Sequence, residues 1–356
     1  MTGGATLGSR PASAAPTTAG PGATRPVRPP RLRSRTVVLA LAIGCVLLAL
    51  VALGLGDFPL DPVQVVQAAF TTDGGFATTI VLEWRLPRVL AALVFGAALA
   101  VSGGLFQTLT ANPLGSPDII GFSTGAYTGA LLVLTLAGTS FAPVAVGAVA
   151  GGLVSALLAY VLAYRRGVHG FRLIIVGIGV TAILQSANTL LLRRASTEVA
   201  MEASFWGAGS LSLVGWSQFV PVAIALAVLT PAVFLVSRPL RQLELGDDAA
   251  RAHGVRVERS RLTILVLGVA LIALVTAISG PIAFVALAAP QIAHRIARSP
   301  GIPLVGSALV GALLLLSADM VAQHLPPTPI PVGVVTIIGG GVYLLALLVH
   351  EARGQR

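Results

Sequence analysis

The stretch Arg238–Arg261 reads RPLRQLELGDDAARAHGVRVERSR and holds six arginines and four acids. The run before it, Phe219 to Val236, carries no charged residue, and neither does the run after it, Leu262 to Ala293. A polar island between two apolar runs must stay in water while its flanks leave it. That pattern belongs to a membrane protein with a connector exposed to an aqueous compartment.

The composition agrees. The chain has 356 residues, 55% hydrophobic and 10% charged, whereas a soluble domain carries about 25% charged residues. Its length is best divided into many spans of about 20 residues. Its 40 glycines suit helices that approach closely in lipid. All 23 basic residues are arginine and the net charge is +10. In so apolar a chain this is the bias of arginine toward the cytosolic side, and no nucleic-acid partner is expected. Cys45 is the single cysteine. It excludes an intrachain disulfide, leaves no metal-site spacing, and reads as a small residue facing lipid or another helix. No metal ligand set is expected.

Outward from the island, the chain divides into an all-α, polytopic membrane protein. Residues 1–35, with six arginines and no acid, form a basic cytosolic tail too poor in apolar residues to fold; a basic arm lying on anionic membrane lipid is its functional alternative. Thr36 to Gly56 is long enough to span and is read as uncleaved. Asp57 to Glu83 is polar, with DFPLDPVQVVQAAF as a short surface helix. Further spans are expected near 86–109, 119–137, 142–164, 173–192 and 219–236. The run 262–293 is too long for one span and is split at Gly280-Pro281, because proline removes a donor and disfavours a helical residue before it. The last two lie near 302–322 and 332–350. The total is ten, within a transmembrane domain 36–350 that contains the cytosolic connector 238–261, and a cytosolic C-terminus follows at 351–356. Both termini then lie in the cytosol. This count places 19 arginines on cytosolic segments and 4 (Arg85, Arg88, Arg193 and Arg194) outside, as the arginine bias demands.

The island has internal order. Asp247 and Asp248 suit the start of a helix as caps and against its dipole. Ala249, Ala250 and Ala252 favour helix, and Gly254 suits a left-handed end. A short cytosolic helix results. It is either a solvated connector or a knob on which a soluble partner docks, with small side chains that permit close approach. No phosphate-binding G-x-x-x-x-G-K-[ST] motif occurs, and no histidine pair has metal-ligand spacing. Asp319 is the one acid within a span. Ion-coupled carriers place ionisable groups near the bilayer midplane, and an intramembrane enzyme needs a catalytic pair there; the nearest groups, Asp319 and His324, lie at the outer edge. No catalytic centre is expected.

Six ordered stretches carry a family resemblance: RLPRVLAALVFGAALAVSGGLFQTLTANPLGSPDIIGFSTGA from Arg85, GFRLIIVGIGV from Gly170, WGAGSL from Trp206, LELGDDAARAHGV from Leu243, GPIAFVALAAPQIAHRIARSP from Gly280 and PVGVVT from Pro331. The chain resembles the permease subunits of bacterial ABC importers for iron–siderophore complexes, haem and vitamin B12, over nearly everything after residue 36. NPLGSPDIIGF, GFRLI and FVALAAPQIA are most similar to the ferric enterobactin type. The resemblance implies a multi-pass protein of the bacterial cytoplasmic membrane that translocates a ferric siderophore. Its partners would be cytosolic ATP-binding subunits, a second permease subunit (a similar chain or a copy) and an extracytoplasmic siderophore-binding protein. It implies no cofactor on this chain, with ATP and magnesium on the partner ATPase.

The resemblance also assigns residues. Leu245, Gly246, Asp247, Asp248, Ala249, Ala250, Arg251 and Gly254 would couple to the ATPase. Arg85 and Arg88 would meet carboxylates of the binding protein. Asn112, Pro113, Leu114, His169, Gly170 and Phe171 would form the inner gate. Gln185, Ser186 and Asn188 would line the path, or else bond helix to helix. Departures from the family pattern fall at the outer rim: Gln323-His324 where arginine is common, Pro329 in place of an acid or amide, and Gly341-Val342 in place of Gly-Pro.

Overall fold

The computed structural model describes residues 30–70, 75–164 and 170–354. Every regular element among them is helical. Helix α1 is Pro30–Gly54 and α2 is Pro62–Phe70. Helix α3, Phe76–Thr79, passes through a wide π turn, Ile80–Arg85, into α4, Leu86–Thr110. The expected surface helix is therefore α2. The polar segment ends sooner than its composition suggests, because helix begins at Phe76. Pro87, in the first turn of α4, has no N–H to donate back and so tolerates the widened turn before it.

Helices α5 (Phe122–Leu136), α6 (Phe141–Ala163), α7 (Gly170–Arg194) and α8 (Thr197–Gly207) follow. Then come α9 (Trp216–Leu243), α10 (Asp247–Ala252), α11 (Val257–Ser279), α12 (Val285–Ala297), α13 (Leu304–His324) and α14 (Val332–Gly354). Each of the ten expected segments corresponds to a helix. Among the described residues, seven helical stretches are long and apolar enough to cross a membrane, and Phe122–Leu136 and Val332–Ala346 are shorter apolar ones. The break at Gly280 is real: its φ is +67°, α11 stops at Ser279, and the thirteen-residue α12 begins only after Phe284.

Helix α4 is the axis of the packing. It contacts α13, α11, α12 and α9, and 72% of its apolar stretch is buried, against 22% for α7 and 11% for α1. Without a hydrophobic drive between helices in lipid, close backbone approach supplies the attraction. A Cβ on Gly96 would stand 2.3 Å from the Gly311 carbonyl oxygen, and one on Gly129 would stand 2.0 Å from that of Gly147. These pairs let α4 meet α13, and α5 meet α6. The run Gly339-Gly340-Gly341 divides: Gly340 packs on the Phe284 ring, while Gly339 and Gly341 face open space. Cys45 is buried and its thiol donates to the Leu309 carbonyl on α13, so it faces a helix.

Candidate functional site

The island is built from two helix ends and one short helix. Its first six residues finish α9, and Val257 onward begins α11. Arginines on helices that run out of the apolar layer keep their heads in water and their stems on the helix. Between them stands α10, bounded by two glycines with positive φ, Gly246 at 97° and Gly254 at 79°. The N-cap is Gly246, not an aspartate. Asp247 and Asp248 occupy the first turn, where they complement the dipole, and each has an arginine: Asp247 accepts from Arg261 at 2.8 Å and Asp248 from Arg251 at 3.0 Å.

The far end closes as expected. Gly254 N–H donates to the Arg251 carbonyl and Val255 N–H to that of Ala250, the paired bonds of a left-handed helix stop. Ala250 is fully buried against the neighbouring helices, and Ala249 is partly buried. Leu245 is 65% exposed, and Gly246, Arg251, Ala252 and Gly254 are exposed as well. Leu245 is thus an exposed apolar side chain beside small residues and two arginine-paired aspartates.

At the same end of α4, the chain leaves the helix through Ala111 in a left-handed conformation. Asn112 then folds the loop: its side-chain oxygen accepts from Leu114 N–H at 2.9 Å and its carbonyl from Gly115 N–H. Pro113 and Leu114 are exposed. Gly170 begins α7 directly against this turn, and a Cβ there would lie 2.5 Å from Thr110 backbone atoms. Phe171 is 76% exposed beside it. The structure thus brings Asn112, Pro113 and Leu114 next to Gly170 and Phe171. His169 lies outside the described residues.

Along α7, Gln185 and Ser186 are exposed and Asn188 is buried. Ser186 bonds its own helix, to the Ala182 carbonyl. Buried polar atoms without a partner include Arg172 Nη1, Thr181 Oγ1 and Asn188 Oδ1, all on α7. Such atoms normally find partners, but these are enclosed within the chain; the face that α7 leaves accessible is apolar, with Phe171, Ile175, Ile178, Ile183 and Leu190 exposed.

At the opposite end of α4, the two arginines are engaged internally. Arg85 donates to the carbonyls of Leu53 and Phe58, both at 2.8 Å. Arg88 holds Asp319 with two parallel bonds, 2.9 and 2.8 Å, and Gln323 donates to the same carboxylate at 2.6 Å. Asp319 is 2% exposed. The sequence reading, which found no buried charge, missed this pair. It joins α4 to α13 and is neutral as a unit. The two arginines and Asp319 line a cavity of about 520 Å³ with Phe58, Phe76 and Trp84. Sequence reasoning also missed Gln107, which donates to the Leu287 carbonyl and accepts from Gln291, and Asp118, which accepts from Ser123. Burial pushes the Asp118 carboxyl up, and the Ser123 hydroxyl pulls against it. Amides within apolar runs were the available signal for Gln107 and Gln291.

The model of the FecCD transport family matches residues 43–350. The chain belongs to the FecCD transport family. It is 48% identical over 316 residues to the ferric enterobactin transport system permease protein FepG of Escherichia coli (strain K12), covering 88% of this chain and 96% of that one. It is 36% identical over 334 residues to the hemin transport system permease protein HmuU of Yersinia pestis, covering 89% and 97%. Among solved structures, an inward-facing metal-chelate type ABC transporter superposes with a TM-score of 0.79 at 26% identity, covering 89% of this chain and 99% of that one. This FecCD member is therefore a multi-pass ABC-transporter permease, a chain that provides passage rather than catalysis.

Proposed function

We propose that this permease carries a ferric siderophore of the catecholate, enterobactin-like class inward across the bacterial cytoplasmic membrane. The single observation that favours this cargo is the 48% identity to the enterobactin permease over nearly its whole length. The 36% identity to a hemin permease makes haem the second reading, with vitamin B12 as a further variant of the same role. ATP and magnesium would act on a separate cytosolic ATPase whose groove receives α10, with Leu245, Gly246, Asp247, Asp248, Ala249, Ala250, Arg251 and Gly254 as its contact. A siderophore-binding protein would dock at the end carrying Arg85 and Arg88, although both guanidinium groups are already held, by the Leu53 and Phe58 carbonyls and by Asp319. The exposed apolar residues of α7 support a second permease subunit, which in the catecholate branch is a similar chain. The path would run between the two, past Gln185 and Asn188, and close at Asn112, Pro113, Leu114, Gly170 and Phe171.

Two measurements test this. Cells relying on this permease should accumulate iron from ferric enterobactin in preference to a ferric hydroxamate or haem; equal or reversed preference overturns the cargo. Replacing Asp248, Ala249 and Ala252 together by tryptophan should abolish uptake and ATPase association while the chain still inserts. Normal uptake in that variant would remove α10 from the coupling role.

A further inference from the structure

Glu244 caps the end of α9 in the connector to α10, and it differs in its contacts from the aspartates that follow it. Asp247 and Asp248 pair with arginines of the island. Glu244 turns the other way. Its Oε1 accepts from the backbone N–H of Ile302 at 3.2 Å and lies 3.4 Å from the Thr108 hydroxyl. Ile302 belongs to the turn between α12 and α13, and Thr108 sits in the last turn of α4. That last turn leads directly into the Asn112 loop.

The turn lies close against the carboxylate. A Cβ on Gly301 would stand 2.1 Å from Glu244 Oε2, so any larger residue there would push the carboxylate aside. The Gly301 carbonyl is itself held, by the Ser299 hydroxyl at 2.6 Å and the His294 ring at 3.3 Å. Beyond it, Gln291 and Gln107 lock α12 to α4. One charge-assisted acceptor therefore joins the root of α10 to a pre-braced turn and to the end of α4. A hydrogen bond to a carboxylate is about twice as strong as one between neutral groups, and it transmits displacement along its axis.

We propose that Glu244 is a positioning residue for energy coupling: it carries the movement of α10 to the α12–α13 turn and to the end of α4 that bears the gate loop. The inference rests on the assignment of α10 as the ATPase contact. Removing Glu244 would leave the ATPase bound and break the transmission, so hydrolysis would proceed with less transport.

The assembled transporter in proteoliposomes, with its ATPase and binding protein, distinguishes the outcomes. Glu244→Ala should keep the ATPase bound and lower iron-complex transported per ATP hydrolysed by about tenfold. Glu244→Gln keeps a side-chain oxygen at the same reach and should restore most of that ratio. Gly301→Ala, which displaces the carboxylate from fifty-seven positions away in sequence, should reproduce the Glu244→Ala ratio, and the double variant should be no worse. An unchanged ratio in Glu244→Ala and Gly301→Ala overturns the proposal. So does loss of the ATPase from Glu244→Ala, which would make Glu244 part of the contact itself. Failure of the α10 assignment reads differently: the tryptophan triple variant would then retain its ATPase and its uptake.

Discussion

Helices α4 and α7 are both 25 residues long and both apolar, yet they are opposite kinds of helix. The polar groups of α4 are met inside the chain. Ser102 donates to the Gly268 carbonyl at 2.7 Å, Gln107 is bonded on both sides, and Arg88 is closed on Asp319. On α7 the buried atoms Arg172 Nη1, Thr181 Oγ1 and Asn188 Oδ1 have no partner, and Phe171, Ile175, Ile178, Ile183 and Leu190 are exposed. One helix is finished within the subunit. The other keeps an apolar face open. The difference leaves the apolar face of α7 to be covered by what it meets, whether lipid, a second subunit or cargo.

Mutations should sort by the same division. The largest effect belongs to Asp319→Ala, which strands Arg88 at a site where both groups are mostly buried. It should cost about 3–5 kcal/mol of stability, measured as earlier thermal unfolding of the detergent-solubilised subunit. Retention of wild-type stability would mean that the α4–α13 pair does not brace the subunit. A smaller loss is expected from Ser102→Ala, about 0.5–1.5 kcal/mol in the same assay. On α7, Asn188→Leu removes an atom that has no partner to lose. It should change the stability of the isolated subunit by less than about 1 kcal/mol while reducing uptake by the whole transporter. If Asn188→Leu destabilises the isolated subunit as much as Asp319→Ala does, the comparison between the two helices fails.

Much of the fold was legible because apolar run length and charge are local properties. The expected segments each hold a helix, and the break at Gly280-Pro281 follows from proline chemistry that acts on its immediate neighbours. The helix ends were less legible. Helix α9 continues through Pro239 and Arg241 to Leu243, because a helix need not stop where the apolar layer does. The cap of α10 was assigned to aspartate, since that residue type usually caps; the positive φ of Gly246 allows glycine to take the position and frees Asp247 for Arg261. Arg85 and Arg88 were read as outward charges from their place in the order of spans. Nothing local to them announces Leu53, Phe58 or Asp319, which lie on other parts of the chain.

The sequence alone determined that this is a helical membrane protein, where its spans begin to be apolar, and that one densely charged connector interrupts them. Those conclusions need only transfer of side chains between water and an apolar layer, which each residue decides nearly by itself. Tertiary structure decided which polar groups are closed on one another and which are left open. Arg88 with Asp319 is separated by 231 positions, Gln107 with Gln291 by 184, and Glu244 with Ile302 by 58. Pairing at such range depends on which helices touch, and that is set by the close approach of small residues such as Gly96 and Gly311 across the whole bundle.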